Sequence, residues 1–404
     1  PRLKGKPVVT GAERGLVIAL SYEAKAYGIK RGMLGAEAKK LCPQVIFVSS
    51  DYETYGLFSK RMFDVIRRFT PQVEEYSIDE AFADITGVRR LHHASYPQIT
   101  KNIKETIEQE LGITVSAGLS LTKSLAKLAS KFNKPSGLVF VSGREVQRFL
   151  SHNTVDKVWG FGHNSVALLN KHGIKTTDHF VNRPQTFAQS LFGKIGNELW
   201  QELSGTSVYP VQVGEKTTYA TISKFKTFTP AINDSDYLYA QLLRNLERAT
   251  AKMRRFHLAT KRVVMVLRSS QFRDSSLEFS LSRPSASVLD MIPFLRSGFE
   301  VTRRAGQNYR ATGVILCDLK QDHPVQLGLF EEPLRIVKTE KVDQAIDQIN
   351  QQFGRHTIHL ASTLPVYGHH RDDRVVNGTE GVVRCGPIRG KGLAVPLLQV
   401  GHDK

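Results

Sequence analysis

The sequence predicts an α+β protein of several domains, and three observations carry that prediction. Short runs of strand formers alternate with helical periodicities along most of the chain. The stretch from 218 to 319 has the order strand, helix, strand, strand, helix, strand. The full 404 residues exceed what one ordinary core organises, so length alone suggests two to four domains. Lys and Arg number 56 against 38 Asp and Glu, a formal charge of +18, and such an excess attracts polyanions, nucleic acid foremost. No apolar run approaches the length of a membrane span, so basic patches need not imply a bilayer. Cys42, Cys317 and Cys385 lie far apart with no CxxC spacing, which argues against zinc fingers and disulfides and fits a reducing cytoplasm. The chain starts at Pro1 without Met, and a piece lacking its natural N-terminus is expected.

Residues 1 to 70 read as small strands and helices: GKPVV, GLVIALS running into the helix YEAKAYG, MLGAEAKKLC, the strand VIFVSS and a long helix. In that helix Tyr55, Phe58, Met62, Ile66 and Phe69 recur at steps of three and four, which marks one buried face, and Asp51 and Glu53 lie in its first turn, where the helix dipole favours them. Tyr22 and Lys25 are three apart and share a helix face. A phenol beside an ammonium suits a triphosphate, and it equally suits an exposed surface pair.

Residues 71 to 87, PQVEEYSIDEAFADITG, set two adjacent carboxylates, Asp79 and Glu80, into an otherwise apolar run bracketed by Pro71 and Gly87. A β-hairpin is expected there. Successive strand residues point to opposite faces, so neighbouring carboxylates converge only at a strand end or bend, where the pleat breaks down. Mg²⁺ would hold them: it takes oxygen ligands, shares them with substrate phosphates, and in pairs drives in-line phosphoryl displacement. A solvated acidic turn is the other reading of the same residues.

Residues 96 to 150 continue as the helix YPQITKNIKETIEQEL, the strand ITVSAGLS and the helix TKSLAKLASKFNKPSG. Lys123, Lys127 and Lys131 step by four opposite Leu125, Leu128 and Ala129, and a solvated basic face is one of two even readings of that pattern. Pro135 and Gly137 fix a turn that presents Lys134 at its lip. In VDKVWGFGHNSVALLNKHGIKT, Gly160 and Gly162 flank Phe161 ahead of an amphipathic helix, and a glycine turn follows at Gly173. That is the pattern of a helix-hairpin-helix, whose glycines let backbone N–H groups approach a DNA phosphate.

The helical domain runs to about Pro210, with VQVGEKT as a linker. In the βαββαβ stretch Leu238, Leu242, Leu246, Ala249 and Met253 mark the buried face of the first helix. Between Ala220 and Asp318 there are 16 Lys and Arg against 8 Asp and Glu, a net of +8. A sheet has a free face, and this one is expected to lie along a phosphate backbone; Lys224, Lys226 and Arg262 are candidate DNA contacts in the same stretch. Beyond 320 regular periodicity is lost. Gln326-Leu327-Gly328-Leu329-Phe330, bounded by Pro324 and Pro333, reads as a linear motif that docks in a partner's groove, or as an edge strand of the preceding domain.

Taken together these pieces resemble the Y-family translesion DNA polymerases of the bacterial polymerase IV and UmuC (polymerase V catalytic subunit) group. SYEAKAYGIKRGM, YSIDEAFADITGV, TKSLAKLASKFNKPSG, VDKVWGFG and QLGLF stand in the family's order over about residues 1 to 360, and FGRHTIHLAS is similar to the UmuC side. The resemblance implies a right hand: fingers over 1–70, a ferredoxin-like palm over 71–152, a helical thumb over 153–212, a βαββαβ little finger over 218–320 and a C-terminal tail over 321–404. It implies that Asp79 and Glu80 are catalytic ligands of two Mg²⁺ ions and that Tyr22, Lys25 and Lys134 contact the incoming triphosphate, with Lys25 where the family often has Arg. It implies DNA contacts at Gly160, Gly162, Lys224, Lys226 and Arg262, and binding of the bacterial β sliding clamp through Gln326, Leu327, Leu329 and Phe330.

Primer-template DNA and deoxynucleoside triphosphates would be substrates, UmuD-like and RecA proteins further partners, and damaged chromosomal DNA in the cytoplasm during the SOS response the setting. Small fingers residues, Gly28, Gly32, Gly35 and Ala36, would press weakly on the nascent base pair and so tolerate lesions. The family's first metal-ligand Asp, and the aromatic residue that excludes ribonucleotides, lie on a strand preceding the segment at which this chain begins, and Ala19 stands where relatives often carry a hydroxyl. The piece as written is therefore expected to lack part of the site. Two other classes fit some of the same residues. A catalytically inactive DNA- and clamp-binding damage-response protein shares the charge and the motifs, and a two-metal nuclease shares the carboxylates alone.

Overall fold

The computed structural model describes residues 3–11, 15–214, 219–321, 333–354 and 357–368. The chain divides into two compact units, Ser50–Glu215 and a second made of Pro1–Ser49 with Lys216–Lys404. No described helix is long and apolar enough to cross a membrane.

The first forty-nine residues build on a small sheet. β1 (Val8–Thr10) pairs antiparallel with β2 (Ala19–Leu20) and parallel with β3 (Ile46–Val48). Helices α1 (Tyr22–Ala26) and α2 (Gly35–Leu41) bury Ala24 and Ala38 with Val9, Val17, Ile29 and Phe47. These contact positions are small, so short helices lie close to a sheet only two and three residues deep.

In the unit from Ser50 to Glu215, helix α3 (Tyr52–Arg67) is capped by Asp51, whose carboxylate accepts from the Thr54 amide at 3.1 Å. Met62, Phe63, Val65 and Ile66 pack with Val73 of β4 (Val73–Ser77) and Ile107 of α5 (Tyr96–Leu111). Only the C-terminal half of the expected apolar face is buried, since Tyr55 is exposed. β4 turns into β5 (Glu80–Ala83), and the short α4 (Arg89–His92) leads to α5. β6 (Ala117–Leu119) and β7 (Leu138–Phe140) pair in parallel around α6 (Lys123–Phe132). The pairs β4–β5 and β6–β7 remain separate two-stranded sheets rather than one ferredoxin-like sheet, and no described strand bridges them. Leu125, Leu128 and Ala129 of α6 share one core with α7 (Val146–Ser151), α8 (His163–Lys171), α9 (Thr177–Val181) and α10 (Gln185–Leu203).

The expected βαββαβ order is present. β8 (Ile222–Ile232), α11 (Ser235–Arg255), β9 (Leu258–Ser269), β10 (Asp274–Ser285), α12 (Ile292–Thr302) and β11 (Tyr309–Gln321) form an antiparallel sheet of order β10-β9-β11-β8 with both helices on one face. Leu238, Leu242, Leu246, Ala249 and Met253 are fully buried, as their spacing predicts. The first strand begins at Ile222, near the end of TYATIS, and runs on through SKFKTFTPAI, whose lysines and threonines are admissible because β8 is an edge strand.

Beyond 320 the structure adds a 21-residue helix, α13 (Pro333–Phe353), where no periodicity was expected. The reason is chemical. Its less exposed residues are Ile336, Thr339, Asp343, Ile346, Asp347, Ile349 and Asn350, three isoleucines among four polar side chains, so it carries no clean apolar stripe. Arg254 of α11 receives it, at 2.6 Å from Asp347 and 3.6 Å from Asp343, and also donates to the Ala286 carbonyl at 2.9 Å. Burial pushes the Asp343 carboxyl pKa up, against the pull of Arg254. The Leu360 amide, ahead of α14 (Leu364–Gly368), donates to Glu247 at 2.8 Å. The candidate docking residues Gln326, Leu327, Leu329 and Phe330 lie outside the described residues.

Candidate active site

The two carboxylates sit where the sequence predicts, at the end of a hairpin. Pairing runs from Val73↔Ala83 to Glu75↔Ala81 and then slips to Ser77↔Glu80, so Tyr76 is an extra residue on β4. Such a bulge breaks the alternation of faces and re-aims the side chains beyond it. Ile78 and Asp79 make the turn, and Asp79 Oδ1 accepts from Ser77 Oγ at 2.9 Å. Glu80 Oε2 meets Lys127 Nζ at 2.8 Å.

That ion pair corrects the solvated reading of the α6 face. The Lys127 side chain is only 8% exposed and that of Lys123 10%. Lys123 Nζ lies 2.6 Å from Glu74 Oε2, which also accepts the Gln212 amide at 2.8 Å. Phe82, Tyr76 and Trp159 complete the surroundings: Lys123 stands 4.7 Å from the Phe82 ring and Lys127 4.5 Å from the Tyr76 ring. Trp159 Nε1 donates to Tyr76 Oη at 3.0 Å. Buried ammonium groups persist only when paired, and here each has one carboxylate and at least one aromatic face. Glu74, Tyr76, Lys123, Lys127 and Trp159 were not recognised from sequence, because lysines at four-residue steps look the same whether they face water or acids on another element.

Lys134 is presented by a built turn. Gly137 is required there, since a Cβ would fall 1.7 Å from the Asn133 carbonyl oxygen. Ser136 Oγ donates to Glu108 Oε1 at 2.7 Å, and Lys104 Nζ reaches both Ser136 Oγ, at 2.8 Å, and Glu108 Oε2, at 2.7 Å. α5 thereby fixes the turn, and these interactions together hold the Glu108 carboxyl pKa down against its own desolvation. Lys131, one turn of α6 beyond Lys127, has its pKa pushed down by burial and then by Lys127, against the pull of Glu80, with Lys134 lowering it further. Glu80, Lys127, Lys131 and Lys134 therefore occupy one electrostatic neighbourhood.

α6 is held from its N-terminus. The wholly buried Glu202 accepts from the amides of Ser124 at 3.0 Å, Val208 at 2.7 Å and Tyr209 at 2.9 Å. Thr122 caps the helix and donates to the Glu202 carbonyl at 2.8 Å.

On α1, Lys25 Nζ lies 6.0 Å from the centre of the Tyr22 ring, so the two share a face as spacing predicts, with Tyr22 half exposed. Ser21 fixes this helix: its Oγ accepts the Ala24 amide at 3.2 Å and the Val8 amide at 3.1 Å. Gly160 adopts φ +102°, which needs glycine, and Gly162 opens α8 as its cap, with open space where a Cβ would stand. Phe161 between them anchors the turn, 5.1 Å from the Phe180 ring.

The candidate DNA contacts on the four-stranded sheet divide. Lys224 pairs with Val314 and Lys226 with Thr312, both wholly buried, and directly paired residues share a face. These lysines therefore belong to the helix side of the sheet, at its edge, and not to the free face. Arg262 is on the free face, 3.1 Å from Asp318 and 3.3 Å from Glu278, which push its pKa up in that order. The free face is thus less basic than net charge predicts, and Phe225 lies against Gly313 at its β8 margin.

Asp79 and Glu80 are hard oxygen donors, and one or two carboxylates completed by substrate phosphates are the ordinary donor set of Mg²⁺. The exposed hairpin end fits such an ion. Among the described residues no three His, Cys, Asp or Glu come together.

The model of the impB/mucB/samB family matches residues 1–131, and that of the family's C-terminal domain matches residues 220–329. A protein named DNA polymerase IV from Desulfatibacillum aliphaticivorans is 30% identical over 92% of this chain and 93% of its own length. One of the same name from Streptococcus pyogenes serotype M1 is 31% identical over 86% of this chain and 91% of its own. Among solved structures, a Y-family DNA polymerase chimera of Dbh and Dpo4 matches with a TM-score of 0.66 at 24% identity, covering 79% of this chain and 93% of that one, a likeness of fold.

Proposed function

This chain belongs to the impB/mucB/samB family of Y-family translesion DNA polymerases, and from that premise we propose that Asp79 and Glu80 are the carboxylates at which it adds nucleotides. It is a DNA-directed DNA polymerase whose substrates are primer-template DNA and deoxynucleoside triphosphates, and it depends on a divalent metal. The observation that carries the assignment is the bulged hairpin end, which sets Asp79 in the turn and Glu80 at the head of β5, where Glu80 pairs with the Lys127 cation.

The reaction is attack of the primer 3′-oxygen on the α-phosphate, with pyrophosphate leaving in line. Asp79 and Glu80 would hold a pair of Mg²⁺ ions, which would supply Lewis acidity that offsets charge on the α-phosphate and the leaving group. Lys134, fixed by Ser136 and Glu108, neutralises the triphosphate, and Tyr22 and Lys25 grip its other oxygens. Gly160 and Gly162 offer backbone amides to a DNA phosphate, while Lys224, Lys226 and Arg262 add positive charge at the sheet edge and free face. Gly28, Gly32, Gly35 and Ala36 bring little bulk to the nascent pair, which favours lesion tolerance and low fidelity. Work in the cytoplasm during the SOS response, with UmuD-like and RecA partners, belongs to the same reading, and FGRHTIHLAS is similar to the UmuC side of the polymerase IV and UmuC group.

Lys134→Ala is expected to raise the KM for the incoming nucleotide by about ten-fold or more, the loss of one charge-assisted contact, with kcat falling less. Steady-state single-nucleotide addition reads this, and an unchanged KM removes Lys134 from the site. Gln326, Leu327, Leu329 and Phe330 form the proposed contact with the β sliding clamp. Replacing Leu329 and Phe330 by Ala is expected to abolish clamp binding in surface plasmon resonance and to leave distributive extension of short primers unchanged. A double variant that melts earlier and loses DNA affinity would make the peptide a structural edge.

A further inference from the structure

We propose that Lys127 is a positioning residue that sets the orientation of Glu80, seated for that purpose in a box of Tyr76, Phe82 and Trp159. The inference rests on the reading of Asp79 and Glu80 as metal-binding carboxylates. Its geometry is asymmetric: the Lys127 side chain is 8% exposed and that of Glu80 44%, at 2.8 Å between Nζ and Oε2. The buried partner is the fixed one, and the exposed carboxylate is what it fixes.

Three rings hold the ammonium, with centres 4.5 Å (Tyr76), 5.8 Å (Phe82) and 5.6 Å (Trp159) from Nζ. The rings in turn hold each other. Tyr76 and Trp159 meet edge to face at 5.4 Å, joined by the indole hydrogen bond to Tyr76 Oη, and Tyr76 and Phe82 meet at 5.5 Å. Lys123, one turn earlier on α6, is tied to Glu74 and also stands over the Phe82 ring, at 4.7 Å. A cation enclosed this way cannot follow its carboxylate into solvent, nor can it reach substrate. One oxygen of Glu80 stays with Lys127 and the other remains for a metal ion. Trp159 immediately precedes Gly160, so the same box ties the carboxylate hairpin to the turn proposed for DNA phosphate.

A lysine that only stabilises the hairpin would lower activity in step with folding. A positioning lysine predicts a split, because its charge also opposes a cation on the same carboxylate. The full chain, with Lys127→Met and Lys127→Arg, is titrated with Mn²⁺ and followed by electron paramagnetic resonance without DNA or nucleotide. Primer extension is then measured across Mg²⁺ concentrations. The Met variant is expected to bind Mn²⁺ several-fold more tightly yet to extend at least ten-fold more slowly at saturating Mg²⁺, and Arg is expected to restore most of that rate. A Met variant with both quantities unchanged, or one whose rate falls only as its melting temperature falls with Mn²⁺ affinity unmoved, overturns the proposal.

Should the Met variant fail to fold, Tyr76→Phe keeps every ring and removes only the acceptor of the Trp159 hydrogen bond. A several-fold slower saturating rate is expected, and an unchanged rate overturns the proposal. Glu80→Gln separates the two levels: if it leaves Mn²⁺ binding and extension intact, the metal reading fails. If Glu80→Gln abolishes both while the Lys127 variants show no split, only the positioning role fails.

Discussion

Asp79→Ala is expected to slow primer extension by about 10³-fold, the scale of losing one group that stabilises transition-state charge, while DNA affinity stays within about two-fold. The turn it occupies asks little of its side chain, whose one hydrogen bond is to Ser77 two residues away. Exposed substitutions of this kind change stability by about 0.5 kcal/mol or less, so the melting temperature should hardly move. Loss of extension with folding and DNA binding intact isolates a catalytic role. Extension at an undiminished rate would remove Asp79 from the site.

Glu202→Ala should have the largest effect on stability. It strips the acceptor from the buried amide of Ser124 and the half-buried amides of Val208 and Tyr209. An orphaned buried donor costs about 1–3 kcal/mol and a half-buried one less, so a loss of roughly 2–4 kcal/mol is expected, read by chemical denaturation. The anion also faces the N-terminus of α6, where the helix dipole favours it, and α6 carries Lys123 and Lys127. Extension should therefore fall even in the fraction that remains folded. A loss below about 1 kcal/mol would mean that water replaces the carboxylate, contrary to its complete burial.

Much of this architecture was legible because it is written in local periodicity. The stripe from Leu238 to Met253 fixed α11, and YPQITKNIKETIEQEL coincides with α5 from Tyr96 to Leu111. The hairpin followed from Pro71, Gly87 and the strand formers between them. What failed depended on partners distant in sequence. Lys123 and Lys127 looked solvated because Glu74 and Glu80 lie about fifty residues away, and Trp159 gave no sign that it would meet Tyr76, 83 residues earlier. α13 was invisible since Arg254 holds it through two aspartates rather than through an apolar stripe. Net charge misled at the four-stranded sheet: strand register turns Lys224 and Lys226 to the helix side, and acids occupy Arg262.

The central claim is that the Asp79–Glu80 hairpin drives metal-dependent, template-directed nucleotide addition. Single-nucleotide addition to a primer-template, with each deoxynucleotide offered separately and Mg²⁺ titrated from zero, tests it most directly. The account predicts addition that rises with Mg²⁺, favours the complement of the template base with frequent errors, and vanishes with a chelator. A chain that retains the primer-template yet adds no nucleotide at any Mg²⁺ concentration would contradict it and leave a DNA-binding protein without catalysis.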